Sequence, residues 1–382
     1  VVIYGQWRIP LQIVKSAIQN HIRHLTTCCS EAEKLMGFPY YFEPDRLLIE
    51  SDTIPGSSVR DATDHVQDLE MVLREYRYKD CQDPRDKVYG ILGLVDRSMY
   101  QALRPDYSVS IREVYTGAMK AIISKHTDGL RFLTGQGFNS SQHDLPSWVR
   151  DFSHRPNISV LRHEMNIMQA YNLYRCSPFT TNQVFIENDS YLHLKGVKID
   201  IVAKVGTALN TLDWRIVGSV LESWHHIAGI RILEVPWAHQ RQRSFWRTIL
   251  ADTVYEVEKK QLRRCNDHDI SEFHSWLIRS LVMFKIGLQP PLKDCFVLAF
   301  LAAIYGRAIF VTNRGHIGLS YDKMEEGDEI WALHGGLVPF ILRNQQGGPD
   351  DFRAMVGDCY LDGYMDGEAY DKPREVRRVV LN

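Results

Sequence analysis

The sequence predicts an α+β protein: a helical N-terminal portion, then an antiparallel β-rich C-terminal unit that carries a helical insertion. Three observations predict it. Within the first 125 residues apolar side chains recur at spacings of three and four, as helices require. Beyond residue 180, short alternating runs are separated by Asn, Asp and Gly, the chemistry of hairpins. Between residues 207 and 305 the helical spacing returns and interrupts the strands. The expected division is a first domain over 1–155 and a second over 156–382, with the insertion at about 207–305.

The elements run in order along the chain. Val1-Val2-Ile3-Tyr4-Gly5 reads as a strand entered mid-run, so a missing upstream part is expected. Leu11, Val14, Ile18, Ile22 and Leu25 make one helical stripe, and Pro55-Gly56-Ser57-Ser58 a loop. Leu69, Val72 and Leu73 share a face of a helix over 66–76. Asp83-Pro84 supplies an N-cap and a proline at the first helical position, with Val88, Ile91 and Leu92 as the buried side. Ser110 and Glu113 have capping-box spacing ahead of Val114, Met119 and Ile122. Leu145-Pro146-Ser147-Trp148 is a turn feeding an aromatic anchor.

Strands are expected at Gln183–Ile186 and Tyr191–Val197, joined by Glu187-Asn188-Asp189-Ser190. Residues 213–287 read as helix, with Lys259–Arg264 as a solvated end. The last third reads as a meander, its turns at Asn313-Arg314-Gly315, Glu326-Gly327-Asp328 and Gly335-Gly336. Asp362-Gly363 and Asp366-Gly367 end the sheet, and Pro339 marks an edge or bulged strand.

The 45 basic residues nearly balance the 47 acidic ones, for a formal net charge of -2. That balance lacks the global basic field of a nucleic-acid binder. The longest apolar run, Phe296–Ile304, falls short of the ~20 residues that span a bilayer. Seven scattered cysteines with no C-x-x-C indicate reduced thiols, not a disulfide framework or zinc finger.

Several constellations bear on chemistry. His21 and His24 have ligand spacing but no third ligand nearby, and the Cys28-Cys29 pair is vicinal. His334-Gly335-Gly336 resembles an oxyanion loop, but no G-x-S-x-G elbow occurs. A hydrolase pairing His334 with a remote serine is the weakest enzymatic option. Gly135-Gln136-Gly137 lacks a third glycine for dinucleotide binding, and His163-Glu164 lacks the second histidine of H-E-x-x-H. The cluster Asp83, Arg85, Asp86 and Lys87 reads either as an ion-pair network locking a loop or as a surface cap worth little.

Taken together, these segments resemble one family. Asp83-Pro84-Arg85-Asp86-Lys87-Val88-Tyr89-Gly90-Ile91-Leu92-Gly93-Leu94 is similar to a segment near the end of the fungal heterokaryon-incompatibility (HET) domain. Pro105-Asp106-Tyr107-Ser108 and Leu145-Pro146-Ser147-Trp148-Val149-Arg150-Asp151-Phe152 come next, in the family's order. Phe245–Thr248, Thr312–Leu319, Gly327-Asp328, Val338–Arg343 and Tyr364–Glu368 resemble the C-terminal extension of such proteins. The family's opening motifs have no counterpart. The resemblance therefore implies the tail of a HET domain plus its extension, with no catalytic, cofactor or metal residue carried over.

The residues it singles out are structural: Asp83, Pro84, Arg85, Asp86, Lys87, Tyr89, Trp148, Asp151, Gly315, Gly318, Gly327, Asp328, Gly367 and Glu368. The implied function is non-self recognition and programmed cell death, exercised as a cytoplasmic scaffold or regulatory part. Its partner is an unidentified protein, with no nucleic acid, no membrane span and no cofactor. The alternative is a piece of a TIR-like enzyme hydrolysing a nicotinamide dinucleotide, its catalytic half absent.

Overall fold

The computed structural model describes residues 2–4, 7–9 and 68–382, apart from 126–128, 141, 155–163, 165–166, 169, 180–183, 212, 257–258, 260, 289–293, 346–348 and 372–373. The expected helix over 11–25, the 51–64 loop, His21, His24, Cys28 and Cys29 lie outside the described residues. Two compact units are distinguished: residues 1–67 with 93–96, and residues 68–92 with 97–382. In the first, β1 (Val2–Tyr4) pairs antiparallel with β2 (Trp7–Ile9).

The second unit opens with four helices: α1 (Leu69–Glu75), α2 (Asp86–Tyr89), α3 (Arg97–Ala102) and α4 (Ile111–Lys125). Side chains that satisfy otherwise orphaned main-chain donors set the starts of α1 and α4. Asp68 accepts from Glu70 N at 2.9 Å. At α4 the capping box forms as spaced: Ser110 N donates to Glu113 Oε2 at 2.8 Å, and Glu113 N to Ser110 Oγ at 3.2 Å.

A closed ring of six antiparallel strands dominates the rest of this unit. Its members are β4 (Tyr191–Val205), β7 (Arg307–Thr312), β8 (Ile317–Tyr321), β9 (Glu329–Leu333), β10 (Phe340–Asn344) and β11 (Phe352–Leu361). They run β4-β9-β10-β11-β8-β7 and back to β4. Closure pairs every strand of the ring on both sides over at least part of its length. β12 (Arg377–Leu381) wedges between the starts of β4, antiparallel to it, and β11, parallel to it. β3 (Phe185–Glu187) forms the expected hairpin with β4, and its turn residues Asn188 and Asp189 both take positive φ.

Ala308, Phe310, Ile330, Ala332, Cys359 and Leu361, at alternate positions on their strands, pack in one cluster with Ile199, Val202 and Ile341. At ~1.5–3 kcal/mol per large buried side chain, such a cluster is the main source of the barrel's stability. β7, β8 and β9 are buried on both faces. Between β4 and β7 the chain leaves the ring for α5 (Trp214–Ala228), α6 (Gln240–Thr248), α7 (Asp267–Lys285) and α8 (Asp294–Ile304). Of these, α5 and α8 pack on β7 and α6 on β8.

The structure corrects several expectations. Residues 213–287 are not uniformly helical: β5 (Thr253–Glu256) and β6 (Gln261–Arg264) form a hairpin, entered through Ala251 and Asp252 at positive φ. Lys259–Arg264 is therefore no helix end, and its arginines are paired, Arg263 with Asp269 at 2.7 Å and Arg264 with Asp252 at 2.6 Å. The meander is broken, because β8 neighbours β7 and β11 but not β9. Asp366-Gly367 does not end the sheet, which β12 completes. Pro339 lies one residue before β10, which is flanked on both sides and so is no edge, but is irregular as the bulged alternative expected, its register with β11 shifting between Ile341 and Leu342. Its missing N–H is therefore never required by a ladder.

Candidate functional site

The Asp83–Tyr89 segment is knitted to the Pro105–Ser108 loop. Arg85 N donates to Asp83 Oδ1 at 2.9 Å and Arg85 Nη2 to Asp83 Oδ2 at 2.7 Å, which holds the Asp83 carboxyl below its ordinary pKa. Arg85 Nη1 also donates to the carbonyls of Tyr107 (2.6 Å) and Val109 (2.9 Å). Tyr107 Oη donates to Asp86, Tyr89 Oη to the Asp106 carbonyl, and Tyr115 Oη to the Pro84 carbonyl. Lys87 Nζ donates to the carbonyls of Arg77 and Lys79. These contacts join the segment to the Pro105–Ser108 loop, with the Asp83–Arg85 pair itself partly exposed.

Trp148 is fully buried and its Nε1 donates to the Ser190 carbonyl at 3.0 Å, pinning the β3–β4 turn. Asp151, also fully buried, accepts from Ser140 Oγ at 2.7 Å and Ser153 N at 2.9 Å. Gly315, Gly327 and Gly367 all take φ between +88° and +102° in turns. Gly318 is required by contact, since a Cβ there would lie 2.3 Å from the Phe310 ring. Asp328 is buried and accepts from Arg343 Nε at 2.8 Å and Glu325 N at 2.8 Å. Glu368 accepts from Asp366 N at 2.8 Å. The structure does not bring these residues to one point.

It does bring together a buried ionic seam that the motifs did not reveal. On α1, Arg74 pairs with Glu70 at 2.6 Å and with Glu164 at 3.5 Å; just beyond the helix, Arg77 pairs with Glu164 at 3.0 Å. Arg74 donates further to the carbonyls of Thr134 (2.7 Å) and Arg131 (2.9 Å), and Arg77 to that of Gln136 (2.7 Å). Arg150 donates to the carbonyls of Thr134 and Gln136 and lies over the Phe138 ring. Burial, then the nearby Arg74 and Arg77, push the Arg150 guanidinium well below its ordinary pKa. Burial works to raise the Glu164 carboxyl, but Arg77, Arg150 and Arg74 outweigh it and hold it low.

Gly135 carries the seam into the barrel. Its N–H donates to Asp358 Oδ1 on β11 at 2.6 Å. Asp358 also accepts from Tyr171 Oη and, at 3.2 Å, from Arg307 Nη2 on β7. Arg307 donates in turn to the hydroxyls of Tyr171 (2.8 Å) and Tyr321 (3.1 Å). Gly135-Gln136-Gly137 is thus a backbone relay between two buried charge clusters. At Gly135, with φ +88°, a Cβ would sit 2.2 Å from Glu164 Oε1. The Glu70–Arg74 spacing of four was the one legible sign of the seam.

The enzymatic options meet specific geometry. His334 stacks on Phe179 at 4.2 Å, and its buried Nε2 has no hydrogen-bond partner among the described residues. None of the described serines is therefore in relay with that nitrogen. The His334-Gly335-Gly336 turn instead docks by its backbone, Gly335 O accepting from Leu130 N and Gly336 O from Ser177 N, each at 3.0 Å. Among the described residues no three His, Cys, Asp or Glu side chains are arranged to hold a metal ion, and no helix is long and apolar enough to cross a membrane. The described cysteines, Cys81, Cys176, Cys265, Cys295 and Cys359, form no disulfide with one another.

Two surface clefts carry ionisable groups. The first, about 380 Å³, is bordered by Trp237, His239, Arg243, Arg247 and Asp362. Its charges are largely spent: Arg247 pairs with Asp252 at 2.8 Å and Asp362 at 3.6 Å, and Arg243 pairs with Asp267. The second, about 350 Å³, opens in the barrel wall beside β4.

Comparison with known proteins agrees with the resemblance read from the sequence. Residues 292–378 match the Het-6 beta-barrel domain family. The chain is 23% identical over 342 residues to heterokaryon incompatibility protein 6, OR allele, of Neurospora crassa, an alignment covering 75% of this chain and 49% of that protein. This chain thus spans about half the length of that relative. No solved structure matches. The matched span includes β7 to β11, whereas β4, the longest strand of the ring, lies upstream across the insertion. Residues 292–378 of this chain are thus similar to the Het-6 beta-barrel domain family, and three quarters of the chain aligns with a fungal heterokaryon incompatibility protein.

Proposed function

We propose that this chain acts in heterokaryon incompatibility as a non-enzymatic scaffold or regulatory part. Residues 1–155 form the closing part of a HET domain, and residues 156–382 an extension built on the barrel. In this reading the chain contacts a protein partner in the cytoplasm of a filamentous fungus and takes part in non-self recognition that ends in cell death. One observation carries the reading. Three charged residues of the shared motifs bind neighbouring protein groups: Arg85 donates to Asp83 and to the carbonyls of Tyr107 and Val109, Lys87 donates to those of Arg77 and Lys79, and Asp151 accepts from Ser140 Oγ and Ser153 N. Groups held this way fasten a fold.

Forced expression of the gene encoding this chain, in a fungal strain competent for incompatibility, tests the proposal. Growth arrest is the expected result, and unimpaired growth overturns it. Turnover of a nicotinamide dinucleotide by the purified chain overturns its non-enzymatic part.

A further inference from the structure

We propose that the cleft beside β4 is an anion site that takes the phosphate group of a small molecule. The site begins with a gap in the barrel wall. On one flank β4 is paired by β12 as far as Gly196 and by β7 from Val202 onward. Between them residues 197–201 have no strand partner on that flank among the described residues, and the cleft of about 350 Å³ opens there. A volume of this size falls within the range of small-molecule sites, ~300–1,000 Å³.

The charge around the gap is lopsided. Lys198, Arg314, Arg374 and Arg377 border it against two carboxylates, Asp200 and Glu375. The acidic groups are already engaged. Asp200, buried, accepts the main-chain N–H of Ile201 at 2.9 Å and of Arg314 at 3.1 Å. Glu375 pairs with Arg377 at 2.6 Å, and Lys198 turns to Glu329 at 2.7 Å.

Two guanidiniums remain. The Arg314 guanidinium, presented by the β7–β8 turn, has neither a hydrogen bond nor an ion pair among the described residues. Arg374 lies over the Tyr364 ring at 5.6 Å and makes long hydrogen bonds, 3.4 Å to the carbonyls of Lys198 and Ile199 and 3.3 Å to Tyr364 Oη, and no carboxylate among the described residues reaches it. Both stand on a protein whose formal net charge is -2, so this positive spot is local. Planar guanidinium forks match phosphate oxygens bidentately, and a phosphate group offers its three outer oxygens tetrahedrally to two separate guanidiniums, where a carboxylate has only two oxygens in one plane.

Calorimetric titration of the purified chain at low ionic strength, with inorganic phosphate, glycerol 3-phosphate and acetate as probes, tests the site. Phosphate or its ester is expected to bind at least tenfold tighter than acetate, and more weakly as salt is added. The tighter of the two phosphate probes identifies the source as free ion or ester. Arg314→Gln lies in an exposed turn, and is expected to weaken binding at least tenfold with an unchanged melting temperature. Glu375→Gln frees Arg377 and is expected to tighten binding, a gain that misfolding cannot produce. The proposal is overturned if phosphate binds no better than acetate, or if neither variant shifts the affinity.

Discussion

Asp358→Asn is the most informative perturbation of the seam. Asp358 is fully buried, and its neighbours Gly135 N–H, Tyr171 Oη and Arg307 are all donors. An amide of the same shape removes the charge opposite Arg307, and on the Oδ2 side its NH₂ group faces the Arg307 guanidinium, which cannot accept a hydrogen bond. Breaking one partner of a buried ion pair costs about 3–5 kcal/mol, since the surviving charge stays desolvated. In a folding unit of roughly 300 residues, with ~2 cal/mol/K of unfolding entropy per residue, that lowers the melting temperature by about 5–8 °C. Scanning calorimetry and urea titration read the loss. Replacing both partners, Arg307→Met with Asp358→Leu, is expected to cost less than the sum of the single changes by ~1–3 kcal/mol, because no charge is then stranded. A loss below ~1 kcal/mol for Asp358→Asn would refute the claim that Asp358 fastens Gly135 and Tyr171 to the barrel.

Two further outcomes rest on the same geometry. Gly135→Ala combines left-handed strain with a Cβ 2.2 Å from Glu164 Oε1 and 2.7 Å from Arg74 Nη1, and is expected to cost ~3 kcal/mol or more in chemical denaturation. Gly327→Ala, at φ +95° but in open space, should cost only ~1–2 kcal/mol. Glu164 sets a pH dependence. Its carboxyl is held below the ordinary value in the folded chain, so the native state binds fewer protons than the unfolded one. The stability it contributes is complete above the ordinary carboxyl pKa of ~4.3 and is lost as pH falls through the lowered native value. Midpoints of urea unfolding at stepped pH should therefore fall steeply below pH ~4, and less steeply in Glu164→Gln.

Local signals were legible because their physics is local. The Ser110–Glu113 capping box and the Asn188-Asp189 turn each depend on residues at most four apart, and both formed as spaced. β12 was missed because Arg377–Leu381 becomes a strand only by pairing with residues 192–196, far away in sequence. The β5–β6 hairpin was missed because its four-residue strands are too short to interrupt a helical pattern visibly. The seam stayed hidden for a different reason. Glu70 and Arg74 have the spacing of a surface pair, and only the carbonyls of Arg131 and Thr134 make their helix face an interior one. Backbone acceptors have no signature in side-chain identity. The buried charges of the barrel that meet Gly135 and Tyr171, Arg307 and Asp358, lie outside the family motifs.

The claim that the shared residues fasten a scaffold is tested most directly by measuring growth arrest and melting temperature together. A panel of Asp83→Asn, Arg85→Lys and Asp151→Asn expressed in the same fungal strain would serve, with Asp358→Asn, outside the shared motifs, as the reference for loss of the fold. A fastening role predicts one relation, in which arrest weakens only as far as the fold does. A variant that melts like the parent yet no longer arrests growth would contradict it, since that is the signature of a residue acting through chemistry.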